Sequence, residues 1–166
     1  MKLTTMWKIS IDTGGTFTDC IAVSPAGEVV RVKVLSSSRL RGVLTEKIAP
    51  CRFRFSHQWR IEEDIFKAYS FYLTGQEFAG ITVQNINFKD QVIELSDNPF
   101  DEAKTNESDK ITKVVFEITS HEEAPVLAVR MLTRTPLHKP LPQLEMRLGS
   151  TKGTNALLEK KEQTLF

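Results

Sequence analysis

Near its N-terminus the chain reads Lys8-Ile-Ser-Ile-Asp-Thr-Gly-Gly-Thr-Phe-Thr-Asp-Cys-Ile-Ala-Val23, and the fold prediction depends on this stretch. Ile9 and Ile11 alternate with polar residues, which predicts a β-strand. The run from Phe17 to Val23 predicts a second strand. Two strands joined by a Gly-Gly turn are typical of a β-hairpin.

The turn of this hairpin carries groups that suit phosphate and a metal ion. Asp12 ends the first strand, and Gly14 and Gly15 leave backbone N–H groups uncovered, as an anion site requires. Three hydroxyl side chains surround the glycines: Thr13, Thr16 and Thr18. A carboxylate beside such a turn holds Mg²⁺, usually through water. The residues alone leave two readings open, a phosphate and Mg²⁺ hairpin or an ordinary tight hairpin.

Two motifs resemble those of known ATPases. Asp12-Thr-Gly-Gly-Thr-Phe-Thr-Asp19 resembles the first phosphate motif of the sugar kinase, actin and heat-shock ATPase superfamily, and most closely that of the hydantoinase A and 5-oxoprolinase family. Met146-Arg-Leu-Gly-Ser-Thr-Lys-Gly-Thr-Asn-Ala-Leu-Leu-Glu-Lys160 resembles that family's Arg-Leu-Gly-Thr-Thr segment followed by Thr-Asn-Ala-Leu-Leu-Glu-Arg. The resemblance covers residues 7–36 and about 120–161, and it is looser between them.

The resemblance implies an N-terminal fragment of an ATP-dependent hydrolase that opens hydantoin or 5-oxoproline rings, with ATP and Mg²⁺ as cofactors of the full-length parent. Asp12 would be the catalytic residue and the Mg²⁺ ligand. Six further residues would bind the nucleotide: Thr13, Gly14, Gly15, Thr16, Thr18 and Asp19. Thr18 and Asp19 are equally open to a purely stabilising role in the hairpin.

The same resemblance implies the partners. They are a small cyclic amide, the rest of the parent polypeptide, and a hydantoinase B-type subunit or domain. A second phosphate hairpin and an adenosine-binding segment are not visible in this sequence. The chain by itself is therefore expected to be inactive, and to bind Mg-ATP no tighter than about millimolar.

The predicted fold class is α+β, with a partial RNase H-like (actin-like ATPase) layer and an inserted, mostly β, barrel-like lobe. Residues 1–42 would supply the first strands of the RNase H-like domain, including Val29–Leu35. Residues 43–118 would form the inserted lobe, and residues 119–166 would return to the first domain with a helix, a strand and the start of a second helix. The lobe's predicted strands are Val43 to Ile48, Arg52 to Phe55, Ala68 to Leu73, Ile81 to Phe88, Gln91 to Leu95 and Val114 to Ile118.

The returning segment has helical periodicity. Ser120-His-Glu-Glu123 fits a capping box, which places the helix start there. One apolar face follows: Ala124, Leu127, Ala128, Met131 and Leu132. Pro125 either removes one hydrogen bond near the start or delays the regular helix by a turn. Arg130 would favour the helix dipole. Gln143 to Leu148 predicts a strand, followed by a loop over 149–155 and a helix from Ala156.

Composition narrows the functional classes. A net charge of +1 gives no sign of a nucleic-acid surface, and Arg52 to Phe55 alternates as any amphipathic strand does. No apolar run reaches membrane-span length, and Cys20 and Cys51 have no metal or redox spacing, so a cytoplasmic protein is expected. Two alternatives remain, a fragment of a sugar- or acetate-type kinase and a free-standing β-barrel binding module.

Overall fold

A computed structural model describes residues 6–61, 63–76, 80–100 and 113–150. In chain order its elements are β1 (Trp7–Thr13), β2 (Phe17–Val23), β3 (Val29–Leu35), β4 (Leu40–Ala49), β5 (Arg52–His57), β6 (Ser70–Leu73), β7 (Val83–Asn87), β8 (Val92–Leu95), β9 (Val114–Thr119), α1 (Ala124–Thr133) and β10 (Leu144–Ser150). The described part of the chain is therefore mostly β with one helix, which is compatible with the predicted α+β class.

The described residues divide into two compact units. The hairpin unit comprises residues 6–38, 122–135 and 140–150. The aromatic unit comprises residues 136–139 and the described residues between 39 and 121. The predicted boundary after residue 42 falls inside β4, because that strand already begins at Leu40.

The hairpin unit is a four-stranded mixed sheet in the order β10-β1-β2-β3. β1 pairs with β2, and β2 with β3, in antiparallel fashion, whereas β10 runs parallel to β1. Helix α1 packs against β1, β2 and β3. Alternation places small or branched residues on the buried face: Ile9, Ile11, Cys20, Ala22, Val32 and Val34. Cys20 is the small buried residue that the sequence predicts, and burial raises the pKa of its thiol to about 12.

The start of α1 differs from the prediction. The N-cap is Glu123, and no side chain makes a capping hydrogen bond, so the capping box at Ser120 is wrong. Pro125 lacks an N–H and is tolerated only in the first turn of a helix, which delays the start to Ala124. Arg130 lies in the last turn of α1, as predicted, and its guanidinium also donates to both carboxylate oxygens of Glu122, at 2.7 Å each.

The aromatic unit is a six-stranded antiparallel sheet in the order β6-β9-β4-β5-β8-β7. Its two edge strands approach each other, since Ser70 and Thr82 form a bridge and the Val83 amide donates to the Tyr69 carbonyl at 2.8 Å. The sheet therefore curls towards a barrel. Its interior contains fully buried rings: Phe53, Phe55, Phe66, Tyr69, Phe71 and Phe116.

The structure confirms a strand at each predicted position, with shifts of a few residues at the ends. The loop predicted over 149–155 begins later, because Gly149 and Ser150 still belong to β10. The rest of that loop and the helix predicted from Ala156 lie outside the described residues. Among the helices of the described residues, none is long and apolar enough to cross a membrane.

Candidate functional site

The predicted hairpin turn spans three residues between β1 and β2. Strand pairing continues to Thr13 opposite Thr18, which leaves Gly14, Gly15 and Thr16 to form the turn. The Gly14 amide donates to the Phe17 carbonyl at 2.9 Å. The hairpin itself therefore uses this amide, so the predicted anion-binding amides reduce to those of Gly15 and Thr16, both of which are exposed residues.

The predicted site residues divide between the two faces of the sheet. Asp12 and Asp19 are exposed, whereas Thr13 and Thr18 are buried on the face that packs against the helix. The cause is the period-two alternation of a strand, which sends neighbouring side chains to opposite faces. The two carboxylates therefore share one face of the hairpin, and the two threonine hydroxyls share the other.

Asp12 and Asp19 lie directly opposite each other across the β1–β2 pair. Like charges in this position repel and destabilise a sheet. Lys33 relieves Asp19, because its ammonium lies 3.4 Å from a carboxylate oxygen and 4.7 Å from the ring centroid of Phe17. Within the described part of the chain, Asp12 has no such ion pair. A cation beside Asp12 would therefore lower the repulsion that the hairpin carries.

Gly15 is not required by the fold. Its φ lies outside the left-handed region, as does that of Gly14, so the backbone conformation of the turn requires neither glycine. A Cβ atom added at Gly15 would meet no heavy atom of the described residues within 4 Å. Neither its backbone conformation nor its packing requires a glycine at this position. The exposed backbone at Gly15 faces open space.

The buried hydroxyls hold the hairpin to the end of β3. The Thr18 hydroxyl lies 3.1 Å from that of Ser36, which donates to the Gly14 carbonyl at 2.9 Å. Thr18 thus stabilises the turn, which is one of the two roles open from the sequence. The Thr13 hydroxyl is buried and has no hydrogen-bond partner among the described residues. Strand alternation alone would have separated both threonines from Asp12.

Sequence reasoning missed two residues that border the site. Ser36 is one of them, because the pairing of Phe17 with Leu35 places the next residue, Ser36, beside the turn. Gly149 lies opposite Asp12 in the β1–β10 pair. A Cβ atom added at Gly149 would lie 3.9 Å from a carboxylate oxygen of Asp12. Its position inside the second motif was the available signal, since that motif resembles the same family as the hairpin.

One comparison with known proteins identifies the N-terminal part of the chain. Residues 8–52 match the family model described as the hydantoinase/oxoprolinase N-terminal region. The matched segment is similar to that family region, and it includes Asp12 to Asp19. The match does not extend to the motif at Met146 to Lys160. No curated protein and no solved structure matches the chain.

Proposed function

We propose that the chain is the N-terminal part of an ATP-dependent hydrolase of cyclic amides, of the hydantoinase or 5-oxoprolinase type, and that its hairpin is a phosphate-binding element. The observation that carries the proposal is the exposed, sterically open Gly15 three residues after the exposed Asp12. Both lie within residues 8–52, which match the hydantoinase/oxoprolinase family.

The turn fits a phosphate group. In the part of the chain that the structure describes, no heavy atom lies within 4 Å of the Cβ position at Gly15, which would allow an anion to approach the amides of Gly15 and Thr16 closely. Any larger side chain at Gly15 would occupy this space. Gly14 helps to form the turn but offers no free amide to phosphate, because its N–H donates a hydrogen bond to the Phe17 carbonyl.

Asp12 fits a magnesium ion held through few protein ligands. Across the described residues, no group of three or more His, Cys, Asp or Glu side chains could hold a metal. Mg²⁺ usually retains several waters and binds through one or two carboxylates together with substrate phosphates. Asp12, with Asp19 opposite it, matches that requirement, and Gly149 leaves room beside the Asp12 carboxylate.

The hairpin residues would position the phosphates and balance their charge. When bound, ATP with Mg²⁺ would supply a phosphoryl group for the amide oxygen of the substrate, which would make the amide carbon reactive towards water. Asp12 would bind and orient the cation from the exposed face, and the Gly15 and Thr16 amides would orient phosphate oxygens. Thr18 and Ser36 would keep the turn in place from the buried face. Thr13 remains a proposed site residue only because its buried hydroxyl has no hydrogen-bond partner among the residues that the structure describes.

The topology of the hairpin unit supports an RNase H-like, actin-like ATPase layer. Three antiparallel strands, β1 to β3, precede α1 in the chain, and β10 then runs parallel to β1 at the outer edge. This is the arrangement expected for the first half of such a layer. The proposed partners of this chain are the rest of the parent polypeptide and a hydantoinase B-type subunit or domain. The proposed location of the protein is the cytoplasm.

The first test uses the chain itself with Mg-ATP. Amide NMR spectra are recorded during a titration to about 10 mM, since an open half-site should bind no tighter than about millimolar. We expect shifts centred on Gly15 and Thr16. With Mn²⁺ in place of Mg²⁺, we expect paramagnetic broadening centred on Asp12 that the Asp12→Asn variant loses. Asp90→Asn, which changes an exposed carboxylate in the β7–β8 turn, is the matched control and should retain the broadening.

Hairpin amides that do not shift with Mg-ATP would contradict the proposal, as would Mn²⁺ broadening that survives Asp12→Asn.

A second test uses the parent enzyme. Asp12→Asn should lower ATP-coupled ring opening at least about a hundredfold, because metal and charge placement supply several kcal/mol. Folding should be unchanged, since Asp12 is exposed at the end of β1. If the variant folds and hydrolyses hydantoin or 5-oxoproline at the parent rate, Asp12 is neither the catalytic residue nor the Mg²⁺ ligand.

A further inference from the structure

Lys33 lies in the same row of the sheet as the two carboxylates of the hairpin. The pairing registers place Asp12 opposite Asp19 and Asp19 opposite Lys33, across β1, β2 and β3. Directly opposite residues share a face of a sheet, and all three of these residues are exposed. The face that carries the proposed Mg²⁺ ligand therefore also carries a lysine.

The Lys33 ammonium lies beside the residue that follows the turn. It is 4.7 Å from the centroid of the Phe17 ring, and Phe17 is the first residue of β2. Phe17 shares the exposed face with Asp19, because residues two apart in a strand point the same way. A positive charge is thus placed next to the turn in which Gly15 and Thr16 would offer their amides to phosphate.

Hydrogen bonds fix the end of β3 to the same turn. The Ser36 amide donates to the Thr16 carbonyl at 2.9 Å, and the Ser36 hydroxyl donates to the Gly14 carbonyl at 2.9 Å. Lys33 lies in β3, three residues before Ser36. The backbone that carries the lysine is therefore tied to the backbone of the turn, which keeps the lysine near any ligand bound there.

The contact between Lys33 and Asp19 is loose enough to be exchanged. The ammonium and the carboxylate oxygen are 3.4 Å apart, and the two side chains are 56% and 59% exposed. Charge-assisted hydrogen bonds are shorter, at about 2.7–2.9 Å. Exposed ion pairs of this kind contribute little to stability. An ammonium has three N–H donors, so Lys33 can also bind the oxygen of a second anion.

The net charge of this row changes sign when a divalent cation binds. Two carboxylates and one ammonium give the row a net charge of −1. The two positive charges of Mg²⁺ would bring it to +1, which favours an arriving phosphate. Lys33 therefore opposes a cation that arrives alone, but it favours a cation that arrives with phosphate.

We infer that Lys33 is a phosphate-binding residue of the hairpin site, and that it exchanges Asp19 for a phosphate oxygen when a divalent cation occupies the carboxylates. The inference rests on the proposed function, because it assigns a further ligand to the same site. Asp19 pairs with the ammonium before the ligand arrives and faces the cation afterwards. The Phe17 ring supports the lysine beside the turn.

Two titrations with opposite expected signs test Lys33→Gln in the full chain. The first adds Mn²⁺ alone and follows broadening of the Asp12 amide. The second adds Mg²⁺ with tripolyphosphate, to about 20 mM, and follows the shifts of the hairpin amides at constant ionic strength. Lys33→Gln should bind Mn²⁺ at least about threefold more tightly, because a competing positive charge is gone. It should bind Mg-tripolyphosphate at least about fivefold more weakly, because a hydrogen bond between charged groups is lost.

Two variants and a second ligand provide the controls. Lys33→Arg keeps the charge and should stay within about twofold of the wild-type chain in both titrations. Arg31→Gln removes a charge from the same strand and face, opposite Ile21 rather than Asp19, and should change neither affinity by more than about 1.5-fold. Mg-ATP should show the same loss as Mg-tripolyphosphate, because the lysine contacts phosphate and not adenosine. Circular dichroism checks that every variant is folded.

Several results would overturn the inference. Lys33→Gln would do so by leaving either affinity unchanged, or by changing both in the same direction, as a purely structural residue would. A loss seen with Mg-ATP but not with Mg-tripolyphosphate would assign the lysine to the nucleoside instead.

The same measurements separate this inference from the proposed function. If Lys33→Gln binds like the wild-type chain while Asp12→Asn still removes the Mn²⁺ broadening, the proposed function stands and Lys33 is not part of the site. If neither Mg-ATP nor Mg-tripolyphosphate shifts the hairpin amides of the wild-type chain, the proposed function and the inference are both wrong.

Discussion

The aromatic unit fills its interior with rings, whereas the hairpin unit fills its buried face with small and branched side chains. Phe55 and Phe71 both contact Phe116, with ring centroids 6.0 and 5.1 Å apart. In the hairpin unit, Cys20 and Ala22 face the helix instead, and one face of the sheet carries exposed charge. Substitutions among the buried rings should destabilise the aromatic unit. Residues on the exposed face of the hairpin sheet are not needed for packing and can bind a ligand.

The largest expected effect comes from the aromatic interior. Phe116→Ala removes a fully buried ring and should cost about 3–5 kcal/mol of unfolding free energy. Phe17→Ala, in the hairpin unit, removes a ring that is 44% exposed and should cost less than about 1 kcal/mol. Urea unfolding followed by Trp59 fluorescence in a Trp7→Phe background measures the Phe116 variant, and Trp7 fluorescence in a Trp59→Phe background measures the Phe17 variant. Equal losses of unfolding free energy in the two variants would show that burial does not decide the cost of removing these rings.

Two glycines sharpen the comparison. A Cβ atom at Gly42 would lie 2.5 Å from Cζ of Phe116, so Gly42→Ala should cost about 1–3 kcal/mol as the ring is displaced. The added Cβ atom of Gly15→Ala meets none of the described residues within 4 Å, and the variant should leave stability unchanged or raise it by up to about 1 kcal/mol. The hairpin variant should instead weaken the Mg-ATP shifts. Loss of stability at Gly15 with unchanged shifts would show that this glycine is structural.

A matched pair of threonines provides a smaller test within the hairpin unit. Thr18→Val keeps the shape but removes the hydrogen bond to Ser36, and it should cost about 1 kcal/mol. Thr13→Val removes a buried hydroxyl that has no partner among the described residues, and it should be neutral or stabilising. Unfolding followed by Trp7 fluorescence in a Trp59→Phe background measures both. A larger loss at Thr13 would indicate that its hydroxyl already has a partner.

The smallest expected effect is a pH dependence of the aromatic unit. Burial lowers the pKa of His57, whose ring stacks on Phe55 at 5.2 Å and accepts a hydrogen bond from the Trp59 amide at 3.1 Å. Because the unfolded chain binds the proton more readily, stability should fall as pH drops below about 6.5, the ordinary histidine pKa. His57→Phe should remove this dependence between pH 7 and 5, as measured by Trp59 fluorescence. An unchanged pH slope would exclude His57 as its source.

The sequence predicted the sheets well because strand alternation survives in both units. Ile9 and Ile11 are buried as their spacing indicates, and Arg52 to Phe55 alternates in and out as expected. Helix periodicity likewise located α1. The order of strands in the aromatic sheet and the closure at Ser70 and Thr82 could not be predicted, because they depend on pairings between distant residues.

The site was predicted only as a set of residue types. The sequence marked Asp12, Gly15 and Thr16, which remain exposed together at the turn. It did not reveal that the Gly14 amide is used by the hairpin, or that Ser36 supports the turn from β3. Those features arise from hydrogen-bond geometry, which residue spacing does not contain. The capping box failed for a similar reason, since a proline constraint outweighed a side-chain cap.

The parallel pairing of β1 with β10 also sets an order of folding. β1, β2 and β3 are neighbours in sequence, so their pairing closes only short loops and is fast. The pairing of β1 with β10 must close most of the chain, including all of the aromatic unit, and pays a larger entropic cost before any contact forms. We therefore expect the three-strand meander with Asp12 and Gly15 to form early and β10 to complete the sheet late. Gly149 then brings its bare backbone beside a carboxylate that is already in place.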